Sequence, residues 1–268
     1  MSAANFILTS WEDQQMIFAN NLAIIRKKPT KDAVHDLRVS VKKIRSYLRL
    51  QQKITGEGWI EQFAPIKLLF STLGKLRDFE MSLLLLKKYQ RKEEVSLPDF
   101  KQYLQVNRSL TRQWTKEAVK NFNTDELDSV FKLNKSLSPF TNEELESKIK
   151  QYSTETLDTV IVLASNFKKE AHEIRKQLKD VYYWLIICPN NLVGKFIEIK
   201  DLDNILSALG EWQDNFIFHE KLKYFRKELL SKKSNEAEIA ETIEKEINKK
   251  KDELLNKAIH VFQSFFEK

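Results

Sequence analysis

Five chargeable side chains recur at helical spacing in one stretch of the chain: His35, Arg38, Lys42, Arg45 and Arg49. Residues three and four apart share one face of an α-helix. The five therefore form a single basic row, about 21 Å long at the helical rise per residue. Val34, Leu37, Val41, Ile44 and Leu48 follow the same kind of spacing, displaced by one residue. At about 100° per residue the two rows lie side by side, so the basic row flanks the apolar stripe rather than standing opposite it. Like charges at these spacings repel, yet no acidic residue interrupts the row. A sequence shaped by stability alone would intersperse Glu. Lys43 falls off this face and reads as solvated. A second row repeats the theme: Lys168, His172, Arg175 and Lys179 run beside Ala171, Ile174, Leu178, Val181 and Leu185. It stops at Tyr182, where the first copy has Arg45. Rows of Arg and Lys donate charge-assisted hydrogen bonds to phosphate oxygens. Without carboxylates they do not hold a metal or activate water. His35 and His172 open the two rows and read equally as anion contacts or as hydrogen-bonded structural residues. Lys75 and Arg77 stand beside Gly74, and a helix end there would add backbone N–H groups to the cations. Asp78 and Asp214 read as groups that orient basic side chains or cap helices.

These rows need long helices, and the composition supplies them. Of 268 residues only 5 are Gly and 5 Pro, while 31% are charged and 42% hydrophobic. So few turn residues exclude an all-β sandwich or barrel and a Gly-rich nucleotide-binding fold. Gly and Pro act as punctuation at Pro29, Gly56/Gly58, Pro98, Pro139 and Pro189/Gly194. Helices are expected at about 10–27, 30–53, 60–93, 97–121, 141–188 with a break near 165, 192–233 and 235–268. Ser10–Asp13, Ser96–Asp99 and Thr141–Glu144 have capping-box spacing. Pro65, Gly74 and Gly210 are read as sites of helix ends or kinks. The last helix carries Ile239, Ile243, Ile247, Leu254, Ala258 and Phe262 as one stripe. The single cysteine, Cys188, excludes a disulfide framework and fits a reducing compartment. No apolar run is long enough for a membrane span, and MSAANFILTS has neither a basic n-region nor an h-region. A cytoplasmic protein without a membrane partner is expected.

The two rows belong to an internal repeat. Residues 33–45 return as 170–179 at an offset of 137, and Leu73-Gly74-Lys75-Leu76-Arg77-Asp78 returns as Leu209-Gly210-Glu211-Trp212-Gln213-Asp214 at an offset of 136. Two matches at nearly one offset indicate duplication. The expected architecture is all-α: one domain of two repeats, about 1–137 and 138–268, forming two bundles that pack about a pseudo-twofold axis with both basic rows lining a shared cleft. The charge is uneven. Net charge is +7, but residues 1–137 hold 24 basic and 15 acidic side chains and residues 138–268 hold 21 and 23.

These residues resemble the CHAD family, the conserved histidine α-helical domain. The similarity lies in His35-Asp36-Leu37-Arg38-Val39 with Lys42, Lys43 and Arg45, then Leu73-Gly74 with Leu76-Arg77-Asp78, then His172, Arg175, Leu178-Lys179 and Tyr183, then Leu209-Gly210 with Asp214. It spans essentially the whole chain. The resemblance implies two pseudo-symmetric four-helix bundles and a basic central cleft that binds inorganic polyphosphate, with association with polyphosphate granules in some members. It implies phosphate-facing roles for His35, Arg38, Lys42, Arg45, His172, Arg175 and Lys179. The second copy departs from the family pattern: Asp180 and Tyr182 stand where basic residues are common, and Glu211 and Gln213 replace Lys75 and Arg77. The first half is therefore expected to dominate binding.

The rival functions are weaker on the residues. A P-loop needs a Gly five residues before Gly74, and none is there. His35-Asp36 matches the core of HD-type metal phosphohydrolases, but those need a histidine upstream, and His35 is the first of the four. Neither an enzyme nor a cofactor is expected. Nucleic acid is the stronger rival, because attraction to phosphate is not polymer-specific. Reading RNA would call for aromatics beside the cations, and the Phe and Trp residues mostly fall on apolar stripes.

Overall fold

The computed structural model describes residues 5–56, 63–123, 137, 139–187, 198–230 and 234–266. Its helices are α1 (Asn5–Lys27), α2 (Lys31–Thr55), α3 (Ala64–Lys92), α4 (Pro98–Lys120), α5 (Asn142–Ala164), α6 (Phe167–Ile187), α7 (Ile199–Tyr224) and α8 (Asn235–Phe266). A π-helical turn, Phe225–Leu229, closes α7. The fold is all-α, and each sequence half contributes a cluster of four helices. No helix among the described residues is long and apolar enough to cross a membrane. Gly58, Cys188, Pro189 and Gly194 lie outside the described residues.

Local chemistry sets most of the boundaries. Thr30 caps α2 by accepting the Ala33 N–H at 3.2 Å. Gly56 ends it in the left-handed region at φ 76°, donating its N–H to the Gln52 carbonyl. Thr141 and Glu144 form the expected capping box at α5. The break near 165 falls between α5 and α6, at Ser165 and Asn166. Two caps differ from expectation. Ser10 is inside α1, because Ile7, Trp11, Gln14, Phe18, Leu22 and Ile25 form one buried stripe that starts earlier. At α4, the Asp99 N–H is taken not by Ser96 but by Glu236 Oε1 at 2.9 Å. Pro65 stands in the first turn of α3, where its missing N–H costs nothing. Gly74 and Gly210 are inside α3 and α7, both of which continue through them.

The helices gather into two compact units. One holds the described residues through Leu73 together with Thr115–Asp203, and the other holds Gly74–Trp114 and the described residues from Asn204 onward. Each unit thus draws on both sequence halves. In the first, α2 packs on α1, α5 and α6. Val34, Leu37, Val41, Ile44 and Leu48 of α2 are at most 1% exposed, as are Ala171, Ile174, Leu178 and Val181 of α6. In the second, the core is aromatic: Tyr89 stacks on Phe218 with centroids 5.8 Å apart, and Phe100 lies 5.2 Å from Phe225. Ile243, Ile247 and Ala240 of α8 close this core. Within each unit, partners stand close to the repeat offset apart in sequence. Trp184 Nε1 donates to the Ser46 carbonyl at 2.9 Å, 138 residues away, and Arg77 pairs with Asp214, 137 away.

The two glycines with described surroundings make opposite predictions. A Cβ on Gly210 meets nothing within 4 Å, and the residue is mid-helix. Gly210→Ala should therefore stabilise the protein by about 0.5–1 kcal/mol. Gly56 also has open space but a positive φ, so Gly56→Ala should destabilise it by about 1 kcal/mol. Urea unfolding midpoints of the two variants should move in opposite directions.

Candidate functional site

The basic row of α2 lies where the helical arithmetic puts it. His35 is exposed, and Arg38, Lys42, Arg45 and Arg49 are half-buried, their stems covering the edge of the core. Phe70 of α3 sits against this row. The Arg38 guanidinium carbon is 4.7 Å from the centroid of the Phe70 ring and that of Arg45 is 5.8 Å from it. Arg38 Nη1 also donates to the Phe70 carbonyl at 3.2 Å. One ring thus serves two cations spaced two helical turns apart. Burial, then the neighbouring Arg49, lowers the Arg45 pKa from its ordinary value, with Asp180 and Tyr183 opposing. Arg remains protonated, so the direction reports chiefly the burial of its guanidinium beside another cation. Arg49 is held differently: its Nη1 donates to Asp180 Oδ2 at 2.5 Å.

On α6, Lys168 and His172 are exposed and Arg175 and Lys179 half-buried, beside the buried stripe as expected. The adjoining row is paired off: Lys176 Nζ donates to Glu173 Oε2 at 2.7 Å and Gln177 to Oε1 at 2.9 Å. The Lys176 hydrogen bond holds the Glu173 carboxyl below its usual range. The two rows meet at Tyr183. Burial raises its phenol to about 12, and the charges of both Arg175 and Arg45 act on it. Arg45 of the first repeat and Arg175 of the second therefore share one neighbourhood in this unit.

A cavity of about 640 Å³ in the same unit is lined by Arg49, Lys53 and Lys176 but also by Glu155, Glu173 and Asp180. Three charges of each sign give it no net pull on an anion. The row itself, not this cavity, is the cationic feature.

The Lys75/Arg77 expectation is corrected by the continuity of α3. No helix end at Gly74 presents free backbone N–H groups, since the helix runs from Ala64 to Lys92. Two residues apart on a helix, the side chains point about 200° from each other, and Lys75 is exposed while Arg77 is half-buried. Arg77 makes a two-pronged ion pair with Asp214, Nη2 to Oδ2 being 2.7 Å, and Asp78 stands 3.8 Å away. Burial opposes its charge, but the Asp214 hydrogen bonds and the two carboxylates outweigh it and raise its pKa. Both aspartates thus orient a basic side chain, as their sequence context suggested. Lys221 in the same unit packs its ammonium 4.8 Å from the Phe79 ring centroid, and burial lowers its pKa. No three His, Cys, Asp or Glu residues among those described come together as a metal site.

The model of the CHAD domain family matches residues 12–223. The chain belongs to the CHAD domain family. The match contains every candidate residue, from His35 to Lys179, and leaves α8 outside. The fold of this CHAD chain is similar to the crystal structure of the CHAD domain from the plant Ricinus communis, with TM-score 0.75 and 15% identity over 97% of this chain and 92% of that one. It is also similar to PptA from Streptomyces chartreusis, with TM-score 0.71 and 13% identity over 98% and 100%. No curated protein sequence matches it.

Sequence reasoning had missed three participants: Phe70, Tyr183 as the meeting point of the rows, and Asp180 as the partner of Arg49. Phe70 had one usable signal. It stands one residue off the buried stripe Ile66, Leu69, Leu73 and Leu76, which turns its ring toward the core edge.

Removing one partner of a half-buried ion pair leaves an uncompensated charge. Asp214→Ala should lower stability by about 1–2 kcal/mol, an amount between exposed and buried pairs. Arg77→Ala/Asp214→Ala should cost less than the sum of the single changes. Denaturant melts of the four proteins in this cycle check it.

Proposed function

We propose that this CHAD protein binds inorganic polyphosphate along the basic rows of α2 and α6 and neither makes nor cleaves it. The observation that supports this most is the α2 row, an unbroken run of cations beside the core in which the guanidinium groups of Arg38 and Arg45 lie over the face of the Phe70 ring. His35, Lys42, Lys168, His172, Arg175 and Lys179 extend the array, while Arg49 and Arg77, already paired with Asp180 and Asp214, contribute less. Lys75, on a different face of α3 from Arg77, adds only general positive potential. A repeating anion suits a repeating row, since phosphates along the chain meet donors at regular intervals. The reading goes with a cytoplasmic location and with association with polyphosphate granules. Asp78 and Asp214 are the repeated carboxylates nearest the cations, and their engagement with Arg77 argues against their activating water.

Each contacted phosphate should release counterions, as it does from nucleic acids, so affinity should fall steeply between low and moderate salt. Arg38→Ala/Lys42→Ala should weaken binding on the order of 100-fold, from two charge-assisted contacts of about 1.5 kcal/mol each. Arg175→Ala/Lys179→Ala should weaken it less. Titration with polyphosphate of several lengths, with RNA and ATP as competitors, measures these effects. RNA displacing polyphosphate at equal phosphate concentration would favour a nucleic-acid ligand. Incubation with long-chain polyphosphate and Mg²⁺ or Mn²⁺ should leave chain length unchanged. Turnover that disappears in Asp78→Ala or Asp214→Ala would make the protein an enzyme.

A further inference from the structure

We infer that a lysine-lined cleft between the C-terminal part of α3 and α8 is a separate anion site, one that takes a phosphate or diphosphate group. The inference goes beyond the polyphosphate reading and does not rest on it. The cleft, about 350 Å³, is lined by Lys88, Tyr89 and Lys92 of α3 and by Glu246, Lys249, Lys250 and Glu253 of α8. All of these residues belong to one compact unit. The apolar core fixes the two helices against each other, since Leu86 and Tyr89 share a buried cluster with Ala240, Ile243 and Ile247. Tyr89 is itself anchored: its ring stacks on Phe218 and its hydroxyl donates to Asn215 Oδ1 at 2.7 Å. Helical spacing then brings the charges together. Lys88 and Lys92 are four residues apart on α3, and Glu246 and Lys250, like Lys249 and Glu253, are four apart on α8.

Four lysines against two glutamates leave the lining with a surplus of two positive charges. The cavity beside Arg49, with three charges of each sign, has no such surplus. Both carboxylates are engaged. Glu246 pairs with Lys92, and Lys250 Nζ donates to Glu253 Oε2 at 3.3 Å. The Lys92 hydrogen bond holds the Glu246 carboxyl below its usual range. An ammonium has three N–H donors, so a lysine bonded to one carboxylate keeps others for a ligand. Ion pairs at an exposed surface add little to stability, so they rearrange at small cost when an anion enters. The cations here are all lysines, compact point charges on flexible stems that can close on a tetrahedral oxyanion from several sides. The volume is at the small end of ligand clefts, about 300–1,000 Å³, which suits a small anion or the end of a longer one. One wall of the cleft is α8, which lies beyond the residues that the family model matches. The family match therefore does not account for this site.

The probe is inorganic diphosphate, titrated calorimetrically into the full chain at low salt. The same titration is run in an Arg38→Ala/Lys42→Ala background, which removes the contribution of the α2 row. In both, Lys88→Ala/Lys249→Ala should weaken diphosphate binding about tenfold, from two exposed charge contacts of roughly threefold each. Lys88 and Lys249 are exposed, so this variant should melt with its parent. Glu246→Gln/Glu253→Gln should tighten binding severalfold by removing the competing carboxylates, an effect that a purely structural role for them would not produce. A free anion and the end of a polymer bring the same group, and short-chain polyphosphate separates them. If the lysine variant weakens short chains as well as diphosphate, the cleft takes chain ends; if it weakens diphosphate alone, the cleft takes the free anion. Diphosphate that binds neither background, that is indifferent to Lys88→Ala/Lys249→Ala, or that binds more weakly after Glu246→Gln/Glu253→Gln overturns the inference and leaves the polyphosphate reading standing. Long-chain polyphosphate that fails to bind the parent protein, while diphosphate binds and follows the lysines, overturns that reading and not this one.

Discussion

Cations can be crowded along one helix edge only if something other than their own interactions fixes that helix. In this chain the fixing comes from the apolar stripe next door. Val34, Leu37, Val41, Ile44 and Leu48 are almost wholly buried against α1, α5 and α6. Burying each such side chain stabilises by about 1.5–3 kcal/mol, while each like-charged pair at helical spacing costs about 0.2–0.5 kcal/mol. The stripe wins by a wide margin, so the row can be selected for charge alone. A basic row opposite the core would lie in bulk water with its charges screened. Flanking the core, it borrows low-dielectric surroundings on one side, and the lowered pKa of Arg45 is the sign of that.

The negative balance of the second half acquires a role in this frame. Asp180 and Asp214 both come from that half, and each pairs with an arginine of the first, Arg49 and Arg77. The duplicated helices face one another within each unit, so a substitution to Asp in one copy reaches the basic row of the other. Duplication followed by such changes leaves the two rows unequal in charge, with Arg49 of the first row paired to Asp180 of the second half. The same facing geometry explains why Arg45 and Arg175, 130 residues apart, both act on Tyr183.

Much of this was legible in the sequence. Scarce Gly and Pro made most helix boundaries readable to within a few residues, and the break at Ser165–Asn166 was foreseen, but the helix expected from 192 is described only from Ile199. The apolar stripes of α2, α6 and most of α8 came directly from spacing. The start of α1 was misplaced because a capping pattern at Ser10 outweighed Ile7 on the buried stripe. Gly74 misled for a related reason: its helical penalty is about 1 kcal/mol, and the burial of Leu73 and Leu76 on either side of it exceeds that. The π turn at Phe225 had no local signal; Phe225 there packs on Phe100 and Tyr103, contacts distant in sequence. The rows were legible, but their counter-charges were not. An ion pair between residues 131 apart has no signature in spacing, and neither does a phenylalanine that serves as a platform rather than as core.

The chain thus shows two ways of holding an arginine, and they have different consequences for a phosphate ligand. A carboxylate partner stabilises the free protein and must be displaced or shared when an anion arrives, so its contribution to folding is withdrawn from binding. An aromatic partner gives up less on either side. A ring orders the guanidinium in advance and carries no net charge of its own. On the polyphosphate reading, a polyanion that binds the folded chain and not the unfolded one would couple the stability of the protein to the concentration of polyanion around it.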